Sequence, residues 1–389
     1  MDWPKYTEEE IRIASEILAS GKVNYWTGEH GKAFEKEFAA HCQTEFAVAC
    51  MNGTAALEMA LKALEVGPGD EVIVTPRSFI ASVSCVPWAG ATPVFADVSQ
   101  DSGNLYAETI EPCITSKTKA IIAVHINGWP CEMDPILDLA RKHNLYVIED
   151  CAQAHGATYK GKPVGSMGDI GVYSFCQDKI MSTAGEGGML VTNHHHFWKR
   201  AWSWKDHGKD YDTIFNKTHP PGFRWVHESI GTNARMPEIQ AAIGRIQLKN
   251  LQTLHDRRTD IARQWWETAQ KTALFRTPWP PDDSEGAFYR YPVYIQPERL
   301  ASGWTRNRII EEANQAGVPC MQGICSEIYK ETAFENIGWR PQSPLPIAKE
   351  LGETSITFLT HPTQQQEKLE KAQADFLKIA EAATGKMGL

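Results

Sequence analysis

Short apolar runs alternate with amphipathic helical stretches through the first half of this chain, and that alternation restricts its fold more than any other feature. The clearest unit is an apolar strand over 120–125, a helix over 133–143 opened by Asp134-Pro135, and a strand over 145–148 that ends in Glu149-Asp150-Cys151-Ala152-Gln153. Further runs over 46–50, 71–74, 92–95, 172–175 and 189–192 read as strands, with helices over 56–64, 81–89 and 105–114. Strands joined through helices imply a mostly parallel sheet covered on both faces. Ligands of such sheets sit outside the carboxyl ends of the strands, which is where Asp150 falls.

The flanking segments complete two domains, expected over 1–250 and 251–389. Thr7 caps a helix over 7–19, with Glu10 three residues on closing a capping box. An aromatic, polar loop over 24–28 and a second helix over 31–42 precede the first strand. The stretch 194–225 is rich in Trp, Lys, Asp and His and reads as a long exposed connection. Within it, His194-His195-His196 resembles a metal tract but has no companion ligands at helical spacing, so it reads as a surface loop and no metal site is expected. Helices over 237–254 and 257–268 lead out of the first domain. A smaller α+β unit follows, with strands over 288–295 and 355–359 and helices over 305–316 and 365–383; the N-terminal helix is free to pack on it.

Composition excludes several classes of function. A formal net charge of -9 gives no electrostatic support for nucleic-acid binding. Met1-Asp2-Trp3-Pro4-Lys5, followed by an acidic helix start, is neither a signal nor a transit peptide, and no apolar run is long enough to span a bilayer. The 9 cysteines form no C-x-x-C pair, which favours buried thiols in a reducing compartment over a disulfide framework. A cytoplasmic protein is expected.

Four features converge on the strand ends. Gly53, Thr54 and Ala55 lie between a strand and a helix, where free N–H groups and the helix dipole favour an anion; an ordinary Asn-Gly turn with Thr54 as cap fits as well. Phe79, in the next strand-to-helix loop, can stack on a flat ligand or fill the core. Asp150 can hold Mg²⁺, bind a ribose or pair with a protonated ring nitrogen. Lys179 follows the strand 172–175 and precedes Gly185-Glu186-Gly187-Gly188; a lysine is ordinarily solvated, but among small and apolar neighbours its amine can attack an aldehyde. Asp178 beside it can equally be structural. Pyridoxal phosphate needs all four: an anion cradle, to which Ser174 can add a hydroxyl, a stacking partner, a carboxylate at the pyridine nitrogen and a lysine at the aldehyde.

The motifs Asn52-Gly53-Thr54-Ala55-Ala56-Leu57, Gly69-Asp70-Glu71-Val72-Ile73-Val74, 147–156, Gly168-Asp169-Ile170-Gly171, 174–188 and 235–244 occur in an order that resembles the DegT/StrS-type sugar aminotransferases, within the fold type I pyridoxal phosphate enzymes. The resemblance implies an α/β large domain with a mostly parallel central sheet and a smaller α+β domain. It implies that Lys179 bonds the cofactor and shuttles the proton, that Asp150 pairs with the pyridine nitrogen, and that Gln153 meets the phenolic oxygen. It further implies that Gly53, Thr54, Ala55 and Ser174 hold the phosphate, that Phe79 stacks, and that Asn233 reaches the phosphate of a partner subunit in a homodimer. The implied reaction is ping-pong transfer, through pyridoxamine phosphate, of an amino group from an amino acid, usually L-glutamate, to a keto group of a nucleotide-linked (dideoxy) hexose, in amino-sugar and surface-polysaccharide biosynthesis. Tyr25, Trp26 and Arg224 are the candidate substrate contacts. The alternatives are a pyridoxal phosphate-dependent sugar dehydratase, whose family members carry histidine at the lysine position, and a catalytically silent regulatory protein. A nicotinamide dehydrogenase would need G-x-G-x-x-G after the first strand, which is missing.

Overall fold

The computed structural model describes residues 3–385 apart from 336 and 342; Met1, Asp2 and the last four residues of the expected second domain lie outside the described residues. The first half of the chain supplies β1 (Phe46–Cys50), β2 (Glu71–Val74), β3 (Thr92–Phe95), β4 (Thr118–Val124) and β5 (Tyr146–Asp150), then a small hairpin of β6 (Thr158–Tyr159) and β7 (Lys162–Pro163), then β8 (Ile170–Ser174) and β9 (Gly188–Thr192). Seven of these strands form one sheet in the order β1-β9-β8-β5-β4-β2-β3. From β3 to β8 every neighbour is parallel, and β9 runs antiparallel between β8 and β1. The carboxyl ends of β1, β2, β5 and β8 therefore share one edge.

Burial follows the two-residue period of a strand. Ala120, Ile122 and Val124 pack with Met59, Val83, Val86 and Trp202 on one face, while Ile121 and Ala123 pack with Met133, Ile136 and Ala140 on the other. Near β1, Tyr173, Phe175 and Met189 face Phe34 and Phe38 of the helix His30–His41. Both faces are covered, as the alternation implied.

Several expectations are corrected. The exposed connection after β9 contains a helix, His195–Lys205, in which Phe197, Ala201, Trp202 and Lys205 are buried, and a short one, Tyr211–Phe215. The apolar residues recur at helical spacing, a signal masked by the polar composition, and His195 and His196 belong to the first turn of that helix rather than to a loop. The helix expected over 105–114 shrinks to Ala107–Ile110 and a 3₁₀ turn. The helix expected over 237–254 ends at Lys249 and a new one, Leu251–Ala269, begins after Asn250. The N-terminal helix Glu8–Ser20 has its capping box, but it packs on the helix Glu238–Lys249, with Gln247 donating to Glu10, rather than on the small domain.

The second half adds β10 (Phe275–Arg276), β11 (Ser284–Glu285), β12 (Arg290–Ile295), β13 (Cys320–Met321) and β14 (Ser355–Leu359). β10, β12, β14 and β13 make an antiparallel sheet, and Trp265 stacks on Phe358 with ring centroids 4.0 Å apart against it. The helix Pro346–Thr354, unforeseen from sequence, carries Ala348 and Leu351 into the core beside Ile73 and Leu105.

A buried acid braces the end of β5. Glu149 is fully buried and accepts hydrogen bonds from the N–H groups of Gly165, Met167 and Gly168 at 2.7–2.8 Å and from His125 Nε2 at 3.1 Å. His125 Nδ1 accepts from the Cys131 N–H, so the proton sits on Nε2 and the imidazole donates to Glu149. Burial alone would push the Glu149 carboxyl up; His125 and the backbone donors outweigh it and hold it below the usual range. Its oxygens are already filled, so the His125, Glu149 and Cys151 cluster reads as a brace rather than a metal centre. Glu149→Gln sets an amide NH₂ against these donors. It should cost about 3 kcal/mol, read as a lowered urea midpoint with the m-value unchanged.

Candidate active site

The shared strand edge opens into a cleft of about 700 Å³. Gly53, Thr54, Phe79, Asp150, Gln153, Ser174 and Lys179, brought from four separate segments, all line it.

Asn52 caps the helix Gly53–Ala63 by accepting from the Ala55 N–H at 2.8 Å. The cap is thus Asn52 and not Thr54, and Ala55, its N–H taken, does not line the cleft. The first N–H groups of a helix have no partner inside it, so those of Gly53 and Thr54 remain for an anion. Gly53 packs against Ser174 so tightly that a Cβ on it would lie 2.6 Å from the serine Cβ. That approach sets the Ser174 hydroxyl beside the helix N-terminus.

Asp150 is 3% exposed, and its carboxylate faces the same cleft. Ser82 Oγ donates to its Oδ2 at 2.7 Å and the Ala152 N–H to its Oδ1 at 3.0 Å. Because the Ser82 proton is committed to Asp150, Ser78 Oγ, 2.9 Å away, must donate to Ser82. Gln153 Oε1 accepts from the Asn127 N–H at 2.8 Å; a backbone N–H can only donate, so the amide orientation is fixed and the NH₂ is its free end. Lys179 is half-buried, with Nζ 5.0 Å from the centroid of the Tyr289 ring. Tyr289 donates to Asp178 Oδ2, and Arg290 lies 3.5 Å from the same oxygen. Burial pushes the Asp178 carboxyl up, but Tyr289, Lys179 and Arg290 together hold it below the usual range.

The other expected residues lie elsewhere. Tyr25 is buried, its hydroxyl donating to Glu35 and its ring beneath Lys205 Nζ. Trp26 donates to Asp206 and stacks on Phe215. Neither lines the cleft. Arg224 and Asn233 are exposed, the latter in a backbone bridge with Asp206. Sequence reasoning missed Ser82, Tyr289, Arg290 and the mouth segment around Gly323, Ile324, Cys325 and Glu331. Only the i, i+4 pair Ser78 and Ser82 at the start of a helix carried a local signal.

An orphaned helix N-terminus with a serine, a buried carboxylate, an amide donor and a lysine amine are the groups that pyridoxal phosphate requires, and they border one cavity, so the residues fit it. The sequence pattern of the DegT/DnrJ/EryC1/StrS aminotransferase family matches residues 4–376. The chain belongs to that family. It is an aminotransferase, and its cofactor is pyridoxal phosphate. It is 41% identical over 287 residues, 73% of each chain, to the GDP-perosamine synthase of Caulobacter vibrioides. Its structure is similar to that of an aminotransferase from Psychrobacter cryohalolentis, 50% identical, with a TM-score of 0.97 over 98% of this chain and 99% of that one. It is also similar to the pyridoxal phosphate form of a putative sugar aminotransferase, Spr1654, from Streptococcus pneumoniae, 27% identical, with a TM-score of 0.87 over 98% of both chains.

Behind the cleft, His155 is fully buried with its ring 5.6 Å from that of Phe175. Burial, with Lys179 and Arg258 nearby, lowers its pKa from 6.5 to about 3. Protonation therefore favours the unfolded chain. The stability due to neutral His155 is complete above pH 6.5 and is lost as pH falls toward 3. His155→Phe keeps a ring against Phe175 without the titration. Its melting temperature should fall less steeply than that of the wild type between pH 6.5 and 4; some slope remains, because burial and two arginines also lower His361, to about 4.

Proposed function

We propose that this aminotransferase moves an amino group from an amino acid, L-glutamate foremost, to a keto group of a nucleotide-linked hexose, in two half-reactions at one site. The observation that carries this reading is the reach of the cleft: beyond the seat between Lys179 and Asp150 it continues to Glu186, Arg290, Cys325 and Glu331, room that an amino acid does not need. The GDP-linked amino sugar in the name of the Caulobacter relative supports the same class of acceptor.

The bound cofactor supplies an aldehyde and a protonated ring that accepts electrons from the substrate Cα. Asp150, held by Ser82 and Ala152, keeps the ring nitrogen protonated. Gly53, Thr54 and Ser174 hold the phosphate, the Gln153 amide donates to the phenolic oxygen, and Phe79 covers the ring. Lys179 Nζ carries the proton to and from the substrate Cα. Arg290, rather than the exposed Arg224, is our candidate for the donor carboxylate, since it is the cation besides Lys179 among the described residues lining the cleft. We place the domain boundary at Asn250, where the helix breaks. A cytoplasmic setting is supported by the nine unpaired cysteines, and no helix among the described residues is long and apolar enough to cross a membrane.

We also take the working unit to be a homodimer. Phe79 lines the cleft yet is 65% exposed, and Trp88, Phe223, Trp225 and Ile230 are exposed too, which fits a face covered by a second copy that brings Asn233 to this site.

Two experiments test the reading. Purified protein mixed with pyridoxal phosphate should gain a visible absorption band that moves to the near-ultraviolet with L-glutamate. Lys179→Ala should lack the band and lose about 10²–10⁴-fold in turnover; a band that no amino acid moves overturns the transamination. Lys179→Ala and Asn233→Ala chains, each inactive alone, should recover about a quarter of wild-type activity when unfolded and refolded together, since mixed dimers keep one intact site; no recovery overturns the shared site.

A further inference from the structure

The N-terminal arm touches the lysine that the cleft depends on. Trp3 is 8% exposed, and its indole Nε1 donates to the carbonyl oxygen of Lys179 at 2.9 Å, across 176 residues of sequence. Three residues further along, the Tyr6 hydroxyl meets Ser182 Oγ at 3.1 Å, so the arm lies along the whole turn that presents Lys179. The Trp3 ring is engaged through its face as well. The guanidinium of Arg258 sits 5.3 Å from it.

Arg258 is fully buried, and no carboxylate among the described residues forms an ion pair with it. Its Nη1 reaches the Tyr289 carbonyl at 3.4 Å and Thr360 Oγ1 at 3.3 Å, while Nε and Nη2 find no acceptor among the described residues. Burial lowers its pKa to about 9 against the pull of Tyr289 and Asp178, so the charge persists at neutral pH, and the Trp3 ring adds an aromatic face beside it. Tyr289, gripped through its carbonyl by Arg258 and by Thr360, places its ring under Lys179 Nζ and its hydroxyl on Asp178. The contacts close a ring: Lys179 carbonyl, Trp3, Arg258, Tyr289, Lys179 side chain. Trp3 belongs to the N-terminal arm, Arg258 to the helix Leu251–Ala269, and Tyr289 to the start of the second sheet.

We propose that Trp3 is a positioning residue for Lys179, holding its backbone through the indole N–H while the Trp3 ring, through Arg258 and Tyr289, sets the seat of its amine. The inference rests on Lys179 being the lysine that bonds the cofactor. A packing role alone would need only the bulk and flat face of the ring, which phenylalanine supplies. The indole N–H is what aims at the lysine carbonyl.

That difference gives the test. Trp3→Phe and Trp3→Ala are made in the full chain, and for each the melting temperature, the rate at which cofactor-free protein acquires the visible band with pyridoxal phosphate, the pH at which the band titrates, and kcat and KM for L-glutamate are measured. Trp3→Phe should melt with the wild type, load the cofactor about three- to tenfold more slowly, shift the titration of the band, and lose a similar factor in kcat with KM unchanged. Trp3→Ala should add a lowered melting temperature, because Arg258 loses its ring. Trp3→Phe that loads, titrates and turns over as the wild type does overturns the proposal. So does a loss that only follows the fraction of protein unfolded. A wild-type protein with no band would instead overturn the cofactor assignment to Lys179, so the two failures are distinguishable.

Discussion

The parallel pairing of β5 with β8 is the constraint on which the cleft depends. Its register sets Asp150 opposite Val172, two residues short of Ser174 and seven short of Lys179, so acid, hydroxyl and amine leave the sheet on one edge. β1 reaches that edge only because β9 turns back between it and β8, restoring its direction to that of the parallel strands.

An edge of this kind buries polar atoms, and buried polar atoms are costly unless paired. The chain solves this in two layers. Glu149 and Asp150 are consecutive and point to opposite faces of β5. Glu149 is saturated by three backbone N–H groups and His125, so its charge is spent on holding the loop at 165–168. Asp150 is fastened by Ser82 and the Ala152 N–H on its two oxygens, which leaves lone pairs toward the cleft. One acid builds the sheet end and its neighbour serves the site. The alternation of strand faces keeps the two tasks apart.

Sequence reasoning reached what is local. β4, β5 and β8 are near-continuous apolar runs and their polar ends are chemically distinctive, so Asp150, Ser174 and Lys179 were legible as strand-end residues, and Gly53 and Thr54 as a helix start. What failed was of two kinds. Composition hid period in His195–Lys205, where charged and histidine residues surround the buried stripe of Phe197, Ala201 and Trp202. Sequence distance hid contact: Ser82 lies 68 residues from Asp150, Tyr289 111 residues from Asp178, and Trp3 176 from Lys179. Tyr25 and Trp26 looked like ligand contacts because they sit in a polar loop, but an aromatic side chain with a hydrogen-bonding tip is equally suited to tie a loop to the core, as Tyr25 does through Glu35 and Trp26 through Asp206.

The second sheet acts on the chemistry through a small number of side chains rather than through a broad wall. Tyr289 and Arg290 enter the cleft from the start of β12, while Ile328 N–H donates to the Pro76 carbonyl at 2.9 Å and Arg77 donates to Ser326, tying the mouth segment to the loop that carries Phe79. A shift of the second half relative to the first would therefore move the Tyr289 ring beneath the lysine and the Phe79 loop together. Arg258 opposes such a shift. Its Nη1 reaches the Tyr289 carbonyl and Thr360 within the second half, Nε and Nη2 find no acceptor among the described residues, and the Trp3 ring beside it comes from the first half, so the guanidinium lies where the two halves meet. Moving the Trp3 ring away would leave that guanidinium less well matched, so the contact favours one placement of the two halves, and an amine that must be held in register with a bound cofactor benefits from such a seat.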